Sequence, residues 1–151
     1  MGPSAEGPIE VDGSYGEGGG RILRTSLALA ALLKKPTLVH PIRAKRKNPG
    51  LAPQHLTGVE ALARIAGAKV QGAEIGSQTV TFSPLKVNPG DYHFRVGNGK
   101  RSTAGSVTLL LQTFLPPISL SQEVSRLTLE GGTHVPWSLE KSRVDFDCPA
   151  S

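Results

Sequence analysis

The stretch "DGSYGEGGGRILRTS", Asp12 to Ser26, sets Gly18, Gly19 and Gly20 directly before a segment of helical periodicity. Glycine has no Cβ to hold a ligand away, and the first turn of a helix offers free N–H groups at the positive end of its dipole. An oxyanion such as phosphate suits that place. Arg21 and Arg24 lie three apart on nearly one helix face, so either can reach an anion held at the helix start. Glu17 can be a metal ligand or a carboxylate stabilised by the helix dipole. The run has neither the GxGxxG spacing of a dinucleotide loop nor the GK[ST] ending of a P-loop, and glycines before a helix also serve as tight turns. Taken alone, it leaves phosphate site and joint both open.

Other segments narrow the chemistry. "FRVGNGKRST" resembles a Walker A loop only superficially: Phe94 stands where the first glycine is needed, and Arg101 where Ser or Thr must bind the metal. Arg43, Lys45, Arg46 and Lys47 form a basic run able to grip a nucleic-acid backbone. With aromatics at 5% of the chain there is no row of rings for stacking on bases, so the run suits phosphate contact rather than base reading. His55, in "PQHL", can face the same pocket as the arginines, whereas His40 and His93 sit in strand-like segments and read as structural. His134 follows a Gly-Gly turn. Neither a Ser/His/Asp nor a Cys/His set assembles from these residues.

These residues need a scaffold to bring them together, and the hydrophobic pattern supplies one. "IEVD" alternates as a strand, and Leu23, Leu27, Ala30 and Leu33 then recur on one helical stripe. "PTLVHPIRA" reads as a strand leading into the basic run, and a second helix spans about Pro53 to Ala68, with Leu56, Val59, Leu62 and Ile65 on its apolar side. "KVQGAEI" and "QTVTFSP" predict a hairpin joined by "GSQ". The order is βαβαββ. It then begins again: "YHFRV" as strand, "TAGSVTLLLQTFL" as a helix opened by Thr103, and "SRLTLEGG" as strand. "SLEKSRVDFDCPAS" has neither the periodicity nor the length for another helix. The fold expected is therefore α+β, in two-layer βαβαββ units with helices on one face of each sheet and the second unit incomplete. Its boundaries are a tail at 1–8, a first unit at 9–89, the incomplete unit at 90–137 and a divergent tail at 138–151. A half-built unit exposes the apolar face of its helix and sheet unless something covers it.

Composition sets the outer bounds. Eighteen Gly and twelve Pro fall between the periodic segments, so they mark turns rather than a low-complexity region. Lys plus Arg exceed Asp plus Glu by 17 to 12, which favours an anionic partner. Cys148 is the single cysteine, so no internal disulfide can form and a reducing, cytoplasmic compartment is expected. No apolar run approaches the roughly 20 residues of a membrane span, and no membrane partner is expected.

Five blocks in order, "EVDGSYGEGGGRILRTSLALAAL", "IRAKRKNPGLAPQHLTGVEAL", "GAEIGSQTVTFSP", "TAGSVTLLLQTFLP" and "LEGGTHVPW", make residues Ile9 to Trp137 resemble the N-terminal part of the RNA 3′-terminal phosphate cyclase family. The resemblance implies repeated βαβαββ units and a reaction that uses ATP and a divalent metal, Mg or Mn, to turn the 3′-phosphate of an RNA end into a 2′,3′-cyclic phosphate. It further implies that a histidine takes AMP first, the RNA 3′-phosphate receives it, and the neighbouring 2′-hydroxyl displaces it. By motif, Glu17 and Gln112 would help hold the nucleotide and its metal, and Gly18, Gly19, Gly20, Arg24, Arg43, Gln54 and His55 would line the nucleotide and phosphate pocket. The family's nucleophilic histidine lies near the C-terminus of a longer chain, so no catalytic residue carries over, and a chain of this extent is expected to be inactive alone. Lys45 stands where the family block has glycine, Arg21 where glutamine is common, and "NGKRS" looks inserted. The alternative expectation is a non-catalytic cyclase-like module that binds RNA, from whose sequences the "GEGGG" block would be missing.

Overall fold

The computed structural model describes residues 7–95, 107–121, 123–131 and 142–148. The chain opens with β1 (Ile9–Asp12), α1 (Gly20–Leu33), β2 (Thr37–His40), α2 (Pro53–Ala66), β3 (Lys69–Gln71) and β4 (Val80–Ser83). These strands form a four-stranded sheet in the order β1-β2-β4-β3, with β1 and β2 parallel and the remaining pairs antiparallel. The chain continues with β5 (Asp91–Arg95), α3 (Val107–Ser119), β6 (Ser125–Gly131) and β7 (Ser142–Cys148), whose strands make a second sheet with β5 and β6 parallel and β6 and β7 antiparallel. The architecture is α+β, as the hydrophobic pattern predicts.

Helix α1 buries Leu23, Leu27, Ala28, Ala30 and Ala31 and ends where Lys34 turns left-handed at φ 55°. Leu33, expected on the same stripe, is 60% exposed. A helix turns roughly 100° per residue, so the three-residue step from Ala30 rotates Leu33 off the packed side. Helix α2 begins with Pro53 in its first turn, buries Val59, Leu62, Ile65 and Ala66, and stops at Gly67, whose φ of 57° is the left-handed turn that glycine adopts at least cost.

The hairpin is shorter than the sequence suggests. Strand β3 ends at Gln71, and 72–79 binds elsewhere: Ile42 N–H donates to the carbonyl of Gln78, Leu51 N–H to that of Ser77, and Gly76 N–H to that of Leu51. This segment therefore braces the base of the basic run instead of extending the strand.

Two further differences concern the second half. Helix α3 does not stop at Leu115 but runs through Pro116 and Pro117 to Ser119. Proline costs the last turn hydrogen bonds, but Phe114 and Ile118 lie buried across the break and hold the turn in place. Its expected start at Thr103 lies outside the described residues. The tail without helical periodicity contributes β7, which pairs with β6 from Ser125 opposite Cys148 to Gly131 opposite Ser142.

The apolar face of the second unit is covered from within the chain. Helix α3 packs against α1 and α2, and one continuous core joins Val39, Val80 and Phe82 of the first sheet to Phe94, Leu127 and Leu129 of the second through Leu27, Leu62, Leu110 and Phe114. The ring centroids of Phe94 and Phe114 stand 5.5 Å apart, and the guanidinium of Arg64 on α2 lies 5.4 Å above the Phe94 ring. The aromatic contact ties the second sheet to its own helix α3, and the cation–π contact ties it to α2 of the first unit.

Candidate anion site at the start of the first helix

Because β1 and β2 are parallel neighbours, the loops that leave them emerge at the same sheet edge, ahead of the N-termini of α1 and α2. The two loops come into close contact. Gly13 N–H donates to the carbonyl of His40 at 3.3 Å, and a Cβ on Gly13 would run into the Pro41 carbonyl. Gly16 and Gly18 take φ of 61° and 59°, so the glycine run turns tightly before Gly19 leads into α1 in extended conformation. Among the described residues no side chain caps this helix, and its first turn contains no acid. Its first N–H groups and positive dipole end can therefore receive an anion.

Cations surround this end. Arg43, at φ 50°, folds its guanidinium back to donate to the Gly50 carbonyl at 2.8 Å, which closes the basic loop on itself above buried Ile42 and Leu51. That closure swings Arg46 to the glycine run, with Nη2 at 3.0 Å from where a Cβ of Gly19 would stand. Lys45 lies along Gly18 and donates from Nζ to the Gly16 carbonyl at 3.3 Å. Arg24 brings Nη1 to 3.0 Å from the Cβ position of Gly20. Its guanidinium is half-buried, and desolvation, then Arg21, lower its pKa from the usual arginine value. Among the described residues, Arg21, Arg24, Arg43, Lys45 and Arg46 have no carboxylate at ion-pair distance; the described pairs join Glu130 to His93 and Arg95 on the second sheet.

His55 completes the arrangement. It is only 7% exposed, and its Nδ1 accepts a hydrogen bond from Ala52 N–H at 3.3 Å. In a neutral ring that leaves the proton on Nε2, which faces Gly20 so closely that a Cβ there would collide with it. Burial, then Arg43 and Arg24, push its pKa down to about 4. His55 is thus a neutral N–H donor aimed at the helix start. An apolar cleft lined by Leu23, Leu27, Val59 and Leu110 runs from Arg24, Gln54 and His55 between the three helices.

The structure brings Gly18, Gly19, Gly20, Arg24 and His55 together, sets Gln54 beside them and ties Arg43 into the adjoining loop. Glu17 is exposed on the glycine loop, and Gln112 is exposed on α3, outside the cleft that Leu109, Leu110 and Thr113 line. The described residues hold no group of three His, Cys, Asp or Glu side chains able to share a metal. Lys45 and Arg46, which the sequence offers as part of a basic run suited to phosphate contact, lie beside the glycine run. Their role depends on how the Arg43–Gly50 closure turns the loop, which no residue spacing encodes. His40 and His93 are exposed, bonded to Thr79 Oγ1 at 2.6 Å and to Glu130 at 3.1 Å; His134 lies outside the described residues.

Comparison with known proteins gives the family of the chain. A model of the RNA 3′-terminal phosphate cyclase family matches residues 15–145, past Trp137 and into β7. The RNA 3′-terminal phosphate cyclase of Koribacter versatilis is 53% identical over 133 residues, which cover 88% of this chain and 36% of that protein. Those of Staphylothermus marinus and Pyrococcus furiosus are 52% and 49% identical over 130 residues each, covering 86% of this chain and 35% and 36% of theirs. The chain spans about a third of the length of the curated relatives it matches.

Two outcomes follow from the Gly20–His55 contact. Alanine favours a helix over glycine by about 1 kcal/mol, yet Gly20→Ala is expected to destabilise the fold, and in a His55→Ala background the same change is expected to become neutral or stabilising. Urea unfolding of the four proteins measures this, and an undiminished cost in the His55→Ala background contradicts the contact. The second outcome concerns pH. A histidine whose pKa falls from 6.5 to about 4 on folding stabilises the chain fully above pH 6.5, and that stability is lost as pH falls from 6.5 through 4. The loss reaches up to about 3 kcal/mol. In His55→Gln this component disappears from urea midpoints compared between pH 7 and pH 4.5; identical pH dependence in the two proteins contradicts a buried neutral imidazole.

Proposed function

This chain belongs to the RNA 3′-terminal phosphate cyclase family, and from that membership we propose that it supplies the phosphate-binding wall of an ATP-dependent RNA 3′-phosphate cyclase. The observation that carries the proposal is the gathering of Arg24, Arg43, Lys45 and Arg46 around an uncapped helix start, where among the described residues none of them has a carboxylate at ion-pair distance and Asp12 acts on Lys45 only from farther off. Side chains of like charge held together without carboxylates at ion-pair distance repel one another, and an anion at their centre relieves that repulsion. Phosphate groups of ATP and of an RNA end are the anions that fit.

Each residue then has a part. The amides after Gly18 and the dipole of α1 bind phosphate oxygens, and Arg24 and Arg46 neutralise the charge that builds as a phosphoryl group is transferred. His55 donates Nε2–H to the same oxygens and holds the imidazole against Gly20. It does not serve as the nucleophile, because its Nδ1 lone pair faces Ala52 N–H and its Nε2 bears the proton. The histidine that accepts the adenylyl group belongs, in this proposal, to the further length that the relatives have. Glu17 makes no hydrogen bond or ion pair within the described residues, so its carboxylate is available to a magnesium or manganese ion, with Gln112 a further candidate ligand. Such an ion, when bound, would supply charge neutralisation. ATP makes the terminal phosphate susceptible to the neighbouring 2′-hydroxyl by converting it into an adenylylated group with a good leaving group.

The purified chain is expected to bind ATP with magnesium and to lose at least about tenfold in affinity in Arg24→Gln, the cost of one charge-assisted contact. Calorimetry measures the affinity. Incubation with α-labelled ATP is expected to leave no covalent AMP on the chain; a stable adduct overturns the assignment of the nucleophile to a further segment.

A further inference from the structure

The cations around the glycine run are not gathered at one point but follow it outward. At Gly20 stand His55 Nε2 and Arg24 Nη1; at Gly19 stands Arg46 Nη2; at Gly18 the stem of Lys45 passes 3.6 Å from the Cβ position, and its ammonium reaches the Gly16 carbonyl. Buried His55 and half-buried Arg24 mark the inner end, and exposed Lys45 marks the outer end. A single phosphate at the helix start faces the inner groups, whereas the Lys45 ammonium is held at the Gly16 carbonyl, on the turn that precedes Gly18. A chain of linked phosphates lying along the run engages both ends.

We infer that Lys45 is a specificity-determining contact that makes this site prefer linked phosphates to a single phosphate, by taking the outer phosphate of a polyphosphate chain. This rests on the proposal that phosphate binds at the start of α1. The chemistry of the side chain suits the role. An ammonium has three donors, and one is used on the Gly16 carbonyl, so two remain for phosphate oxygens without breaking the tie between the loops. The four-carbon stem lies along a glycine, and with no side chain at Gly18 it can shift outward or inward as the ligand requires. The backbone beneath it does not shift as easily, since Gly50 N–H to the Ile42 carbonyl, Arg46 N–H to the Arg43 carbonyl and Arg43 Nη1 to the Gly50 carbonyl close the loop. Lys45 is a long, exposed cation on a loop closed by backbone hydrogen bonds.

The test compares orthophosphate, pyrophosphate and tripolyphosphate as ligands of the full chain, by calorimetry at one ionic strength, in wild type, Lys45→Met, Lys45→Arg and Arg24→Gln. Wild type is expected to bind tripolyphosphate more tightly than orthophosphate. Lys45→Met is expected to lose about tenfold on tripolyphosphate and less than about twofold on orthophosphate, the size of one charge-assisted contact present in one ligand only. Lys45→Arg is expected to restore the preference, which a merely structural tie to Gly16 does not require. Equal losses on both ligands in Lys45→Met, or no loss on either, overturn the inference. If Arg24→Gln weakens all three ligands while Lys45→Met weakens none, the role of Lys45 fails and the phosphate site stands. If wild type binds none of the three, both fall.

Discussion

The imidazole of His55 and a side chain at Gly20 cannot occupy the same space, and the site is built on that exclusion. Since Gly20 has no Cβ, α2 can press a buried ring against the first turn of α1, and the ring's Nε2 then lies among the free amides instead of being separated from them. The rest follows from that contact. It fixes how closely α1 and α2 approach, and so where Leu27, Val59 and Leu62 meet in the core. It also keeps the imidazole neutral, because burial and the neighbouring arginines both oppose its protonation.

A neutral donor has a use among cations. If His55 were charged, it would add to the repulsion among Arg24, Arg43 and Arg46 in the absence of ligand. Held neutral, it supplies a hydrogen bond without that cost, and the positive charge rests on side chains with exposed or half-buried guanidinium groups. The basic loop achieves a related balance by folding onto itself: Arg43 commits its guanidinium to the Gly50 carbonyl, and 72–79 braces the loop from below. Cations are thereby held near one another by backbone hydrogen bonds rather than by acids, which leaves their charge available to a ligand.

Much of this was legible in the residues. The strand-to-helix change at Gly20, the second helix ending at Gly67 and the restart at β5 are local patterns of apolar periodicity and turn residues, and they appear where those patterns put them. The parts that were not legible depend on contacts between distant segments. Gly72 and the backbone bonds of 76–78 to Ile42 and Leu51 cut β3 short, and burial of Phe114 and Ile118 carries α3 through two prolines that would end an isolated helix. Strand β7, by contrast, carries a legible pattern: Val144, Phe146 and Cys148 alternate with Arg143, Asp145 and Asp147, the two-residue period of a strand, although the segment has no helical period. In the site, Gly18, Gly19, Gly20, Arg24 and His55 could be named from their types and company. Lys45 and Arg46 could not be distinguished from Lys47 without the turn that points them at the glycine run. Gln112, named by resemblance, is exposed on α3 and does not line the cleft between the helices.

Everything proposed for this chain requires an anion to bind on the first turn of α1, between the glycine run and His55. A nitrogen-15 NMR titration of the chain with ATP and magnesium observes that binding amide by amide. An anion at the helix start moves the amides of Gly19, Gly20 and Arg21 first and furthest, together with the Nε2 proton of His55. Shifts confined to the outer face of the second sheet, around His93, Arg95 and Glu130, with Gly19 to Arg21 unmoved, would refute binding there.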